Sequence, residues 1–232
     1  MHRNWQIYIT IGQVSKQKES KGSTNYSLFL QEKMKFICIG KNYSAHIKEM
    51  GWKDEEEIVL FMKPESAWCK SNEVPYPNFS RDIQYETELI IRVNKPLSRV
   101  CVDEALMCIE HISVGIDFTA RDIQMELKKK GMPWEKSKSF DNSAVVGTWR
   151  KFEKSKLYEF YLEINGEEVQ RGVSSAMLVS FGALVAEASR YFTIFPEDIL
   201  FTGTPQNVGS VHKGDVLCGF LENEKVLEVK II

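Results

Sequence analysis

Gln84-Tyr85-Glu86-Thr87-Glu88-Leu89-Ile90-Ile91-Arg92-Val93 is the stretch on which the reading of the fold turns. Tyr85, Thr87, Leu89 and Ile91 alternate with Glu86, Glu88, Ile90 and Arg92, which is the period of a β-strand. The period returns at 111–118, where Ile112, Val114 and Ile116 alternate with Ser113, Gly115 and Asp117. Apolar runs at 35–40, 157–164, 198–201, 216–221 and 226–231 predict further strands, and a second apolar run at 57–62 is ended by Pro64. Asn165-Gly166 marks a tight hairpin turn, because both residues tolerate positive φ. Helical spacing predicts helices at 102–109 and 175–192, and a short helix from Ser44, as N-cap, to a stop at Gly51. A further helix is predicted after Thr119, with Asp122 completing a capping box and Lys128 to Lys130, Gly131 and Pro133 closing the other end. Strands and helices interspersed without a regular βαβ repeat give an α+β fold.

With 43% hydrophobic and 27% charged residues, the chain can bury a core and is not of disordered composition. A net charge of -2 gives no broad basic footprint for nucleic acid, and no apolar run is long enough for a membrane span. Cys38, Cys69, Cys101, Cys108 and Cys218 form no CxxC pair, so free, mostly buried thiols in a reducing cytoplasm are expected rather than a zinc site or a disulfide framework. Residues 1–33 contain a polar stretch at 16–24 and lack the pattern of a signal peptide. They are expected to be an N-terminal extension outside the fold, with the functional domain at 34–232.

Glu86 and Glu88 lie two apart on a predicted strand, so their side chains share a face about 6.6 Å apart. Such a pair is an ordinary solvated face unless a hard divalent cation relieves the repulsion; Mg²⁺ and Mn²⁺ prefer oxygen ligands. Asp117 ends an apolar strand just before a helix, where a carboxylate serves as a turn-former or a site residue. His46 and Glu49 are three apart on a helical segment, either an exposed pair or a carboxylate-oriented base. Lys138 lies in a basic loop and could neutralise an anion. No GxGxxG, Walker, GxSxG or HExxH pattern is present.

These segments together resemble the fumarylacetoacetate hydrolase family. The pieces, in order, are Gly40-Lys41-Asn42-Tyr43 with His46, Leu60-Phe61-Met62-Lys63-Pro64, Tyr85-Glu86-Thr87-Glu88-Leu89 and Asp117-Phe118-Thr119-Ala120-Arg121-Asp122-Ile123-Gln124. Lys138-Ser139-Phe140-Asp141, Asn165-Gly166-Glu167 and Thr202-Gly203-Thr204-Pro205 complete the series. Residues 128–134 look most like the acylpyruvase and oxaloacetate decarboxylase branch. The resemblance implies layered, mostly antiparallel sheets, a homodimer, and Glu86, Glu88 and Asp117 as ligands of Mg²⁺ (or Mn²⁺). It implies His46, Glu49 and Lys138 as catalytic residues, with the His46–Glu49 dyad on a lid. Lys41, Tyr43, Lys63, Gln124 and Thr204 are implied as substrate contacts. Lys41 stands where the family commonly has arginine, exchanging a planar fork for a point charge. Tyr85 stands where this branch often has histidine.

The activity implied is divalent-metal-dependent C–C hydrolysis of an acylpyruvate-type 2-oxo acid, with possible decarboxylation of oxaloacetate, through a metal-held enolate. Isomerisation or decarboxylation of an unsaturated 2-oxo diacid is the alternative, followed by a non-catalytic 2-oxo-acid-binding homologue. The expected partner is the small-molecule substrate, with no nucleic acid and no membrane, in the cytoplasm.

Overall fold

A computed structural model describes residues 34–51 and 58–232. The expectations for residues 1–33 and for Glu57 lie outside the described residues.

The first half of the described chain runs β1 (Phe36–Gly40), α1 (Ser44–Glu49), β2 (Val59–Lys63), β3 (Glu73–Val74), β4 (Ile83–Tyr85) and β5 (Thr87–Val93). It continues through α2 (Val102–Cys108), β6 (Ile109–Asp117), β7 (Thr119–Ala120), α3 (Arg121–Lys129) and α4 (Glu135–Lys138). The second half adds β8 (Ala144–Val146), β9 (Arg150–Lys151), β10 (Glu159–Ile164), β11 (Glu167–Val173) and α5 (Phe181–Tyr191). It ends with β12 (Ile199–Phe201), β13 (Gly209–Ser210), β14 (Val216–Leu221) and β15 (Glu224–Ile231).

The strands form three sheets. A seven-stranded sheet has the order β2-β1-β12-β5-β6-β8, with β9 also on β6. A five-stranded sheet has the order β11-β10-β14-β15-β3, and a small sheet joins β13, β4 and β7. Only β1–β12 and β15–β3 pair in parallel among the described strands. The layered, mostly antiparallel α+β arrangement expected from the sequence is therefore present. Asn165 and Gly166, at φ 54° and 86°, turn β10 into β11 as their residue types dictate.

The large sheet is covered on both faces. Ile37, Leu89 and Ile91 join a core with Ala105 of α2 and Val185 and Ala188 of α5. Their chain neighbours Phe36, Cys38 and Ile90 join a separate cluster with Phe201. Successive residues of a strand point to opposite faces, so β5 is buried on both. Each fully buried Leu or Ile contributes about 1.5–3 kcal/mol of transfer free energy.

Four local expectations are corrected. Residues 84–93 form two strands, because β4 pairs with β7 and β13 whereas β5 pairs with β6 and β12; Glu86 stands at the break. Helix α5 begins only at Phe181. Upstream, Met177 bridges to Tyr43, and the Asn42 side chain accepts from Val179 N–H at 2.8 Å and donates to the Val179 carbonyl at 3.2 Å. Those bonds hold the segment in an alternative to helix. Ser44 is the first helical residue, not a cap. Helix α3 starts after Ala120 without a capping box. Thr119 instead donates its hydroxyl to Glu86, and Asp122 accepts from Ser80 Oγ and Arg81 N–H.

Candidate metal centre and active site

Three strand ends bring the carboxylates together. Glu86 lies at the β4–β5 break, Glu88 on β5 opposite Gly115 of β6, and Asp117 at the last residue of β6. All are buried, and one oxygen from each lies within 4.8 Å of the others.

Basic groups flank this cluster. Lys138 Nζ donates to Glu86 Oε2 at 2.7 Å and to Asp117 Oδ2 at 2.8 Å. Arg121 Nη2 donates to Glu86 Oε1 at 2.7 Å, and Thr119 Oγ1 donates to the same oxygen at 3.1 Å. Lys63, fully buried, sits with Nζ 2.7 Å from Asp117 Oδ1 in an ion pair without hydrogen-bond geometry. Its hydrogen bonds go to Ser143 Oγ and to the carbonyls of Ser143 and Lys138. Lys63 thus holds the cluster together from behind.

The three carboxylates differ electrostatically. Burial pushes Glu86 up, but the charges of Lys138, Arg121 and His46 and the Lys138 hydrogen bond overcome it and hold Glu86 well below the usual carboxylate range. Burial also pushes Glu88 up, and the charges of Asp117 and Glu86 add to it. The Lys138 charge and the 2.6 Å hydrogen bond from Gly203 N–H offset only part of that, so Glu88 stays well above its ordinary value. Burial lowers Lys138, yet Asp117 and Glu86 raise it on balance, keeping it an ammonium.

This donor set fits a hard divalent cation. It is all oxygen, it is buried, and full ionisation of Glu88 calls for more positive charge beside it than the lysines supply. Glu86, Glu88 and Asp117 could therefore hold the metal.

A cleft of about 20 Å³ opens beside Glu86 and Glu88 and is also lined by Lys41, His46, Gln124, Lys138 and Thr204. That is space for a water molecule, which needs roughly 10–15 Å³, and not for a 2-oxo acid. His46 is buried, with Nδ1 3.0 Å from Glu49 Oε2. Glu49 Oε1 accepts from Asn207 N–H at 2.9 Å, which anchors α1 to the loop after β12.

The sequence-named substrate contacts divide. Lys41, at φ 67°, Gln124 and Thr204 line the cleft. Gln124 Oε1 already accepts from Arg121 Nη1 at 2.6 Å. The Thr204 hydroxyl donates to the Thr87 carbonyl and accepts from Gln170, each at 2.9 Å. Lys63 lies behind the carboxylates. Tyr43 lines a neighbouring cavity of about 280 Å³, with Ser44, Pro205 and Gln206, which contains none of the three carboxylates. The charged groups line the smaller cleft. Burial, then the charge of Glu88, pushes the Tyr43 hydroxyl upward.

Arg121 and Gln170 received no role from the sequence. Arg121 sits in the quoted 117–124 segment, but its contact to Glu86 depends on the strand break. Gln170 alternates with exposed Arg171 on β11, and a polar residue at an inward strand position was the available signal.

A buried three-carboxylate group that could hold a divalent cation thus stands beside a histidine–glutamate pair on an α+β frame. The chain belongs to the fumarylacetoacetate hydrolase family, whose C-terminal domain model matches residues 35–230. An oxaloacetate tautomerase of Escherichia coli (strain K12) is 36% identical over 188 residues, covering 79% of this chain and 86% of that relative. A fumarylacetoacetate hydrolase family protein from Yersinia pestis CO92 has a TM-score of 0.81 at 37% identity, covering 85% of this chain and 93% of that one. A fumarylpyruvate hydrolase from Pseudomonas aeruginosa, solved in complex with Mn²⁺ and pyruvate, has a TM-score of 0.79 at 32% identity. The match covers 86% of this chain and 90% of that one.

Proposed function

We propose that this protein is a divalent-metal-dependent enzyme that enolises a small 2-oxo acid, with oxaloacetate keto–enol tautomerisation as its reaction. The observation that carries the reading is the cleft lined by Glu86, Glu88, Lys138 and His46, with Asp117 within 4.8 Å of both glutamates and Glu49 paired to His46. The relatives named oxaloacetate tautomerase and fumarylpyruvate hydrolase support the substrate class.

Glu86, Glu88 and Asp117 would hold Mg²⁺ or Mn²⁺, which would supply Lewis-acid stabilisation of negative charge developing on the substrate. The rest falls to the chain. Lys138 and Arg121 keep Glu86 ionised and ready as a ligand. Glu49 holds the proton on His46 Nδ1, which leaves Nε2 as the acceptor nitrogen. His46 takes a proton from C3 of oxaloacetate, the C3–H electron pair forms the C2–C3 double bond, and the C2–O π pair moves onto the oxygen. Return of that proton to the C2 oxygen gives the enol. The cleft's small size keeps bulk water away from this exchange and requires it to open for substrate.

A second reading is favoured by the water-sized space beside His46. There the same pair activates water against the distal carbonyl of an acylpyruvate, and C–C cleavage releases pyruvate in its enol form and a carboxylic acid. Loss of CO₂ from oxaloacetate or isomerisation of an unsaturated 2-oxo diacid would use the same enolate.

The test is to follow loss of enol absorbance from oxaloacetate, and pyruvate release from oxaloacetate and acetylpyruvate, with Mg²⁺, Mn²⁺ or EDTA. Faster metal-dependent tautomerisation supports the first reading. Pyruvate release from acetylpyruvate without tautomerisation replaces it with the second. No turnover by folded, metal-loaded protein leaves the non-catalytic 2-oxo-acid-binding homologue.

A homodimer, a cytoplasmic location and a catalytic domain starting at Met34 belong to the same proposal. The family match from residue 35 and the five free cysteines support the last two. Among the described residues no helix is long and apolar enough to cross a membrane.

A further inference from the structure

Gln170 lies on β11 in the five-stranded sheet, away from the strands that carry the carboxylates, and is 2% exposed. Its Oε1 accepts the N–H of Thr87 at 2.9 Å. Its Nε2 donates to Thr204 Oγ1 and the Pro205 carbonyl, both at 2.9 Å, with the Gln206 carbonyl at 3.2 Å. The Thr204 hydroxyl donates to the Thr87 carbonyl at 2.9 Å. One amide and one hydroxyl therefore hold both backbone polar groups of Thr87, the residue between Glu86 and Glu88.

The loop that Gln170 grips touches both halves of the site. Gly203 N–H donates to Glu88 Oε2 at 2.6 Å, and Asn207 N–H donates to Glu49 Oε1 at 2.9 Å. Gly203 stands at φ +97°, and a Cβ there would lie 2.6 Å from Asn42 Cβ, so the loop has one close-fitting path past Asn42. Asn42 also donates to the Thr202 carbonyl at 2.7 Å.

The geometry points to Gln170 as a positioning residue that sets the Glu86–Thr87–Glu88 segment in register with the loop carrying the Glu49 contact. It acts on the metal through Thr87 and on the His46–Glu49 pair through residues 204–207. This rests on the metal-dependent reading of the site. Partners that orient metal ligands typically affect affinity by about 10–100-fold when removed. A glutamine that merely satisfied buried backbone groups would affect stability and leave metal affinity alone.

The test is titration calorimetry of Mn²⁺ into the full chain, wild type against Gln170→Met and Thr204→Val. Ile194→Val, a core trim at the bridge to Leu97 and outside these hydrogen bonds, serves as a stability control. The expected result is a Kd for Mn²⁺ raised at least 10-fold in Gln170→Met and in Thr204→Val, and unchanged in the control. The double variant is expected within about twofold of the worse single variant, because both changes break one network. In metal-saturated Gln170→Met, kcat is expected to fall about 10-fold with KM within threefold. Should Gln170→Met fail to fold, Thr204→Val carries the test alone. A Kd within twofold of wild type in the folded variants overturns the positioning role while the metal site stands. A wild-type chain that binds no Mn²⁺ overturns the metal reading and the positioning role together.

Discussion

Replacing Lys138 with methionine keeps most of the side-chain volume and removes the charge between two buried carboxylates. Lys138 Nζ makes contacts of 2.7 Å to Glu86 and 2.8 Å to Asp117, and all three side chains are at least nine-tenths buried. Breaking a buried ion pair by removing one partner costs about 3–5 kcal/mol, because the remaining charge is left uncompensated. For a domain of this size 1 kcal/mol moves Tm by about 2–4 °C, so the metal-free variant should melt about 6–20 °C below wild type. Adding Mn²⁺ should reverse part of the loss. A ligand at 100 times its Kd stabilises by about 2.7 kcal/mol. The variant should also gain more than wild type at equal Mn²⁺, because a neighbouring ammonium no longer opposes the cation. The assay is scanning calorimetry of both proteins, in EDTA and across a Mn²⁺ series. An unchanged Tm in EDTA, or a smaller Mn²⁺-induced rise in Lys138→Met than in wild type, would refute the placement of Lys138 as counter-charge to the metal carboxylates. Arg121 still holds Glu86 ionised in the variant, and activity should fall because the cleft loses the ammonium that lines it.

His46→Ala should lower turnover by about 10²–10⁴-fold, the usual worth of a positioned acid–base group, with the Mn²⁺ Kd within twofold of wild type. Full turnover in that variant removes His46 from the mechanism, and calorimetry beside steady-state kinetics separates the two effects. The pH dependence follows from Glu88, whose carboxyl is pushed up by burial and then by Asp117 and Glu86. A raised folded-state pKa stabilises the metal-free fold below the unfolded value, about 4.3, and that contribution is lost as pH rises through the folded value. Mn²⁺ binding needs Glu88 ionised, so affinity should strengthen with rising pH and binding should release protons, measurable by calorimetry in buffers of different ionisation enthalpy. Affinity that does not rise with pH would contradict this. Gly203→Ala should destabilise by about 1–3 kcal/mol, since alanine at φ +97° is strained and its Cβ meets Asn42; a thermal shift below 1 °C, roughly a quarter of a kcal/mol, would speak against a fixed loop.

Local chemistry made much of this fold readable. Asn165-Gly166 demands its hairpin whatever surrounds it, and the alternation in 111–118 yields β6. Glu86, Glu88 and Asp117 were readable as a set only through the family resemblance, since residue by residue a solvated strand face or a turn-former explained them as well, and the structure draws their oxygens within 4.8 Å. Interactions between distant segments were not readable. The break at Glu86 exists because β4 and β5 find partners in different sheets, a choice made by β7, β13, β6 and β12 rather than by residues 84–93. The late start of α5 depends on Asn42, more than 130 residues away, capturing Val179. Thr119 and Asp122 have the spacing of a capping box, yet Glu86 and Ser80 compete for their side chains and win. An inward polar position on β11 marked Gln170, but its role was not readable for the same reason: its partners Thr87 and Thr204 come from other strands and loops.

The most direct test of the account is Mn²⁺ titration into purified full chain and into Glu86→Gln, Glu88→Gln and Asp117→Asn, with enol–keto conversion of oxaloacetate measured on the same samples. The account predicts Mn²⁺ binding and Mn²⁺-dependent conversion in wild type, and loss of both in each variant. Conversion that persists in EDTA-stripped wild type, or variants that bind Mn²⁺ as tightly as wild type, would contradict it.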